Sequence, residues 1–129
     1  MLITPDTGDI IYTSEKNPDL GSNLLKGPFA GSNLARLVAS LSKSSDPNEF
    51  RIIDFEPYKA ARARPAAFVA SPVFSGPQCI GLLVLQFPIE GFNRIVTGRG
   101  NWERDGLGET GEVYLTADDF LLRTASRFH

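Results

Sequence analysis

One cysteine, one histidine and one tryptophan in 129 residues are the first absences that matter. A lone Cys79 excludes any disulfide within the chain, and beside Ile80 in an apolar run it reads as a small buried hydrophobe rather than a nucleophile. One cysteine and one histidine cannot build a zinc site, and Asp118-Asp119 lacks the spaced oxygen ligands of a calcium loop, so no metal or other cofactor is expected. His129 is the last residue, where side chains are poorly held, so no base is positioned for a catalytic triad and the chain does not read as an enzyme. Charge of one sign is missing too. Thirteen basic residues against fifteen acidic ones leave a net charge of −2. That balance lacks the basic footprint of a nucleic-acid binder and any polybasic membrane patch. No apolar run approaches the length that spans a bilayer, and the N-terminus lacks the pattern of a signal peptide.

What is present is enough for one ordinary core: 42% of the residues are hydrophobic, and an α+β domain is the default at this length. Residues 1–4 and 10–14 are short β-rich runs around the turn-forming Pro5-Asp6-Thr7-Gly8-Asp9, which predicts an opening hairpin. Asn17, Pro18, Asp19 and Gly21, then Gly27, Pro28 and Gly31, mark a loop-rich crossing from about residue 15 to 31. Ser32 is an N-cap candidate ahead of Leu34, Leu37, Val38 and Leu41, spaced as one face of a helix that Pro47 prevents from continuing.

Three strands are expected next, over residues 51–55, 66–74 and 80–87, the last two joined by a tight turn at Ser75-Gly76-Pro77-Gln78. Ile80 to Leu85 is apolar on both faces, which suits a central strand covered on each side, whereas Pro72 places the end of its strand at an edge or bulge. Ile89, Phe92, Asn93 and Val96 predict a short helix ended by Gly98 and Gly100. The expected sum is a five-stranded antiparallel sheet with its helices inserted after the second strand.

Gly106, Gly108 and Gly111 have the spacing G-x-G-x-x-G. In a dinucleotide site a strand enters such glycines and a helix leaves them, supplying N–H groups for the phosphates. Here polar NWERD precedes them and the strand-like Val113-Tyr114-Leu115-Thr116 follows, so the stretch reads as a turn that launches a strand. The layout of VYLTADDFLLRT, residues 113–124, repeats that of LITPDTGDIIYT, residues 2–13: a short strand, an acidic turn, an apolar pair and a threonine. A C-terminal β-hairpin beginning a second, similar module is the expectation, with a first module over residues 1–104 and the linker and hairpin over 105–129.

The strings TGDIIYTSEKNPDLGSNLLKGPF, PAAFVASPVFSG, IGLLVLQFPIEGFNRI and GLGETGEVYLTADDFLLRTASRF together resemble the extracytoplasmic double-Cache (PAS-like) sensor region of bacterial transmembrane receptors, of the adenylate or guanylate cyclase and methyl-accepting chemotaxis types. The resemblance covers nearly the whole chain. It implies a PAS-like, membrane-distal small-molecule sensing module in the periplasm. That module belongs to a membrane-anchored parent with a cytoplasmic output domain of cyclase, chemotaxis or kinase type, and it is able to form homodimers. The family normally places a long helix before such a module and a membrane-proximal module after it. On that resemblance this chain is expected to begin inside the first strand and to stop within the second module.

A PAS-like sheet curves around a small pocket, so ligand contacts are sought on the inner face of the middle strands and the loops above it. Alternation places Ala67, Val69 and Ser71 on one face of their strand and Phe68, Ala70 and Phe74 near the other. Ser71 and Gln86 are candidate ligand contacts, though Gln86 also reads as a strand-end residue. Phe68 is a pocket-lining candidate that could equally fill the pocket with its own ring. Asp54, Tyr58, Arg62 and Arg64 combine an acid, an aromatic and guanidiniums able to clamp a carboxylate in a bidentate way, which suits an amino acid or organic acid. They do not reproduce the tyrosine, arginine and tryptophan spacing of the amino-acid-binding branch of Cache domains, and exposed arginines that solubilise a loop are the alternative. Trp102 reads either as an anchor between modules or as ordinary packing. A ligand-free structural or dimerisation spacer is the alternative to a sensor.

Overall fold

The computed structural model describes residues 1–128. The chain divides into two compact units, one of residues 1–86 and one that begins at Phe87. In the first unit the opening hairpin is present as β1 (Leu2–Ile3) and β2 (Ile10–Tyr12), shorter than the sequence runs suggested. Gly8 supplies the positive φ that the connecting turn requires. The helix α1 covers Asn33–Leu41 and starts where the cap residue predicts. Ser32 is extended, and its side chain accepts a hydrogen bond from the Ala35 N–H.

Three long strands follow: β3 (Arg51–Tyr58), β4 (Arg64–Ser75) and β5 (Gln78–Pro88). Gly76 and Pro77 form the loop between β4 and β5, with Gly76 at φ +59°. The five strands make one antiparallel sheet in the order β2-β1-β5-β4-β3, a mixed α+β fold. β3 runs three residues further than expected, through Pro57. A proline is accommodated there because β3 is an edge strand and one of its sides needs no N–H donors. Pro72 lies past the last β3–β4 pair, Arg51 with Ala70, so its missing donor falls outside that ladder.

The β3–β4 register slips between Ile53 and Glu56. A bulge of this kind leaves backbone carbonyls without ladder partners. Asn33, the first residue of α1 and 1% exposed, repairs it: its side-chain amide donates to the Asp54 carbonyl at 2.9 Å and to the Ala66 carbonyl at 2.8 Å. The helix is thereby tied to the sheet by polar bonds as well as by its apolar face. Leu34, Leu37, Val38 and Leu41 pack into one core with Ile3, Ile10, Leu24, Tyr58, Phe68, Leu82 and Val84. Cys79 is half-buried against that core.

β5 is central, between β1 and β4, as its apolar sequence suggests. The expectation that both of its faces are covered is corrected. Leu82 and Val84 are fully buried, whereas Leu83 and Leu85 on the opposite face are 46% and 56% exposed. Leu2 and Tyr12, which the register aligns with Leu83, share that exposed side. The helix placement is corrected as well: only α1 lies between β2 and β3, and the second helix follows β5.

In the second unit, α2 (Ile89–Val96) occupies the predicted stretch and ends before Gly98 and Gly100. None of its residues is fully buried. The expected C-terminal hairpin is reduced to one bridge, Thr116 with Leu122, supported by Arg123 N–H to the Leu115 carbonyl at 2.7 Å. Two short segments without a third strand are marginal as a ladder, and Phe120 sits at φ +62° in the turn between them.

Candidate functional site

The six sequence candidates do not converge. Tyr58 and Phe68 come together in the core, both fully buried, with ring centroids 5.1 Å apart in an edge-to-face arrangement. Phe29 approaches the other side of Tyr58 at 6.1 Å. Asp54 lies on β3 with an exposed side chain that accepts from the Phe55 N–H. Arg62 stands in the left-handed turn after β3, exposed, and Arg64 is exposed at the start of β4. Ser71 lies on the face of β4 opposite Phe68 and donates to the Glu49 carbonyl at 2.9 Å, which pins the connector to the sheet. Gln86, half-buried at the end of β5, lines a cavity.

The residue that organises the interior is one that the sequence presents only as a turn former. Asp19, in the crossing between β2 and α1, is fully buried, and its Oδ2 accepts the Tyr58 hydroxyl proton across 39 residues of chain. Burial and then this carboxylate push the Tyr58 pKa far above its ordinary value, so the phenol stays a donor. Among the described residues Oδ1 of Asp19 has no hydrogen-bond partner. A buried carboxylate oxygen in that state is costly. NPDLG contains no signal of its partner, because the pairing is set by tertiary contact and not by local pattern.

Two cavities open on the first unit. One of about 160 Å³ is lined by Met1, Thr13, Glu15, Asn17 and Gln86 with Val84 and Leu85. The other, about 140 Å³, lies beside Phe29 and Ser32 with Glu56 and Lys59 on its wall. Both are smaller than the roughly 300–1,000 Å³ of drug-sized sites, so either would take only a compact ligand.

The second unit has its own cleft, about 460 Å³, lined by Asn101, Trp102, Glu103, Arg104, Glu109 and Arg127 together with Gly100 and Gly108. The Arg127 guanidinium lies 5.0 Å over the Trp102 ring and 4.9 Å from that of Phe128, and it donates to the Gly108 and Glu109 carbonyls. The glycine motif thus has conformational reasons of its own. Gly106 and Gly108 take φ of +80° and +60°, and a side chain at Gly111 would collide with the Leu107 carbonyl. Turns flank these glycines, and among the described residues no helix follows them to receive a phosphate.

Among the described residues no group of three or more histidine, cysteine, aspartate or glutamate side chains is placed to hold a metal ion. No described helix is long and apolar enough to cross a membrane. His129 lies outside the described residues. Comparison with protein-family models, with curated proteins and with solved structures finds no match to this chain.

Proposed function

We propose that this chain is a small-molecule sensing module from the extracytoplasmic side of a bacterial transmembrane receptor of the double-Cache, PAS-like kind. Its parent would be membrane-anchored and would carry a cytoplasmic output domain of cyclase, chemotaxis or kinase type. The observation that carries the reading is architectural: an opening hairpin, a helix inserted before a three-strand meander, and all five strands in one antiparallel sheet with that helix packed on one face. A five-stranded antiparallel sheet with a helix inserted after its second strand is part of what the sequence resemblance implies, and it supports the reading. A sensor of this type works by population shift: the ligand must bind one arrangement of the receptor better than another, and that difference is the signal. The module itself performs no chemistry in this reading.

A second reading is favoured by one specific observation. Tyr58 and Phe68 fill the interior between sheet and helix, as expected of a spacer or dimerisation module that binds nothing.

A thermal-shift screen of the whole chain against amino acids, organic acids, polyamines and nucleobases separates the two. A ligand at about a hundred times its dissociation constant stabilises a fold by roughly 2.7 kcal/mol, which raises the melting temperature by several degrees in a domain of this size. The sensing reading expects at least one saturable rise. No rise with any class would sink it and leave the spacer.

A further inference from the structure

The two arms joined by the Thr116–Leu122 bridge expose what a folded domain normally hides. Val113, Tyr114, Leu115, Phe120, Leu121 and Leu122 are each 40–90% exposed. At roughly 200 Å² for a whole aromatic side chain and roughly 100 Å² for an aliphatic one, they leave about 470 Å² of apolar surface in water. That is the apolar share of one side of a standard protein–protein interface, a little over half of about 800 Å². The backbone is open as well. The Arg123 N–H to the Leu115 carbonyl at 2.7 Å and the Ala117 N–H to the Leu121 carbonyl at 3.3 Å close on either side of the bridge. In an antiparallel ladder bonded this way, Thr116 and Leu122 are the pair that exchanges no bonds, so their own N–H and C=O groups point outward. Alternation adds Tyr114 to the outward set on the first arm. Residues 113–116 thus form a strand edge, and VYLT carries neither the proline nor the charge that usually blunts one. Arg123 on the second arm is neutralised by Asp119 at 2.8 Å, and Asp118 lies in the turn.

We propose that this edge is a self-association surface: two copies of the chain pair residues 113–116 antiparallel about a two-fold axis at Tyr114. Two marginal two-armed ladders then become one four-stranded sheet, which supplies the third strand that each lacks alone. A second copy fits because antiparallel pairing about a two-fold axis is self-complementary, the same groups serving as donors and acceptors on both sides. In this register Val113 faces Leu115 of the second copy and Tyr114 faces itself. Thr116 and Glu112 exchange N–H to C=O bonds across the axis, and no like charges meet. The Glu112 carboxylate is already turned to the Ser126 hydroxyl and the Arg127 N–H. The surface is small for a lasting complex, so the association is weak and single chains dominate in dilute solution. The inference does not depend on whether the first unit binds a ligand.

The test is sedimentation equilibrium of the whole chain over a wide concentration range, on the wild type and on Tyr114→Lys, Thr116→Pro and Leu83→Lys. The wild type is expected to show a reversible monomer–dimer equilibrium. Tyr114→Lys sets like charges opposite each other at the axis, and Thr116→Pro removes an N–H that points outward without breaking a bond inside the ladder. Each should weaken association by about tenfold. Leu83→Lys, on the exposed face of β5 in the first unit, should leave it unchanged. All three positions are exposed, and an unshifted melting temperature confirms that each variant folds. A monomer at every concentration would overturn the proposal. So would a dimer that survives both tail variants, a dimer that Leu83→Lys abolishes, or association that grows past the dimer.

Discussion

In the first 86 residues, hydrophobic side chains are buried from Ile3 to Val84, and α1 presses its apolar face onto the sheet. The unit that begins at Phe87 has no fully buried hydrophobic residue among those described, and Thr124 is its one buried polar residue. It is held instead by polar ties. Asn93 on α2 accepts from the Ala125 N–H at 2.9 Å, and Glu112 accepts from the Ser126 hydroxyl at 2.7 Å and the Arg127 N–H at 3.1 Å. Arg127 then covers Trp102 and grips the glycine loop. The difference is one of cooperativity. A packed core opens as a whole, whereas exposed hydrogen bonds and a cation–π contact open one at a time at small cost.

The largest effect that could break this comparison is a core deletion. Phe68→Ala removes a fully buried ring that also packs on Tyr58, and should cost about 3–5 kcal/mol in urea unfolding. Phe120→Ala, at a residue 90% exposed, should stay within about 0.5 kcal/mol. Equal losses would contradict the contrast between a packed first unit and a second unit held by local polar ties.

Tyr58→Phe comes next. It leaves Asp19 buried without its donor, and a loss of about 1–3 kcal/mol near neutral pH is expected. The pH dependence sharpens the point. The folded-state pKa of Tyr58 is raised above its ordinary 10.0, so its contribution is fully present below pH 10.0 and is lost as the pH climbs beyond it, where the unfolded chain ionises first. Denaturation midpoints measured from neutral to strongly alkaline pH should fall in the wild type, and less steeply in Tyr58→Phe. Identical slopes would show that the hydroxyl is not buried against Asp19.

Arg127→Ala should have the smallest global effect, about 0.5–1 kcal/mol or less, with the change confined to faster amide exchange around residues 108–110, where the Gly108 and Glu109 carbonyls lose the guanidinium. A global loss matching that of Phe68→Ala would contradict the picture of local ties.

What the sequence made legible follows the same division. Ser32, the 3.6-residue spacing of Leu34 to Leu41 and the Gly76-Pro77 turn are local signals, and the structure uses each as read. The β-bulge at residues 54–55 and its repair by Asn33 were not legible, because the acceptors come from two strands distant in sequence. Asp19 was hidden for the same reason: in NPDLG it is indistinguishable from any turn aspartate. The candidate clamp failed to assemble because Tyr58 turns inward to that aspartate while Arg62, four residues later, sits in a left-handed turn facing solvent. The tail misled in the opposite direction. Its alternating residues have β propensity, but propensity without a neighbouring strand yields only the single bridge at Thr116 and Leu122.

Hydrogen–deuterium exchange on the whole chain tests the central claim that cooperative stability belongs to the first unit. The account predicts slowest exchange in α1, β4 and the buried half of β5, and rapid exchange across residues 98–128. Slowest exchange in the 113–124 segment, or protection there equal to that of α1, would contradict it.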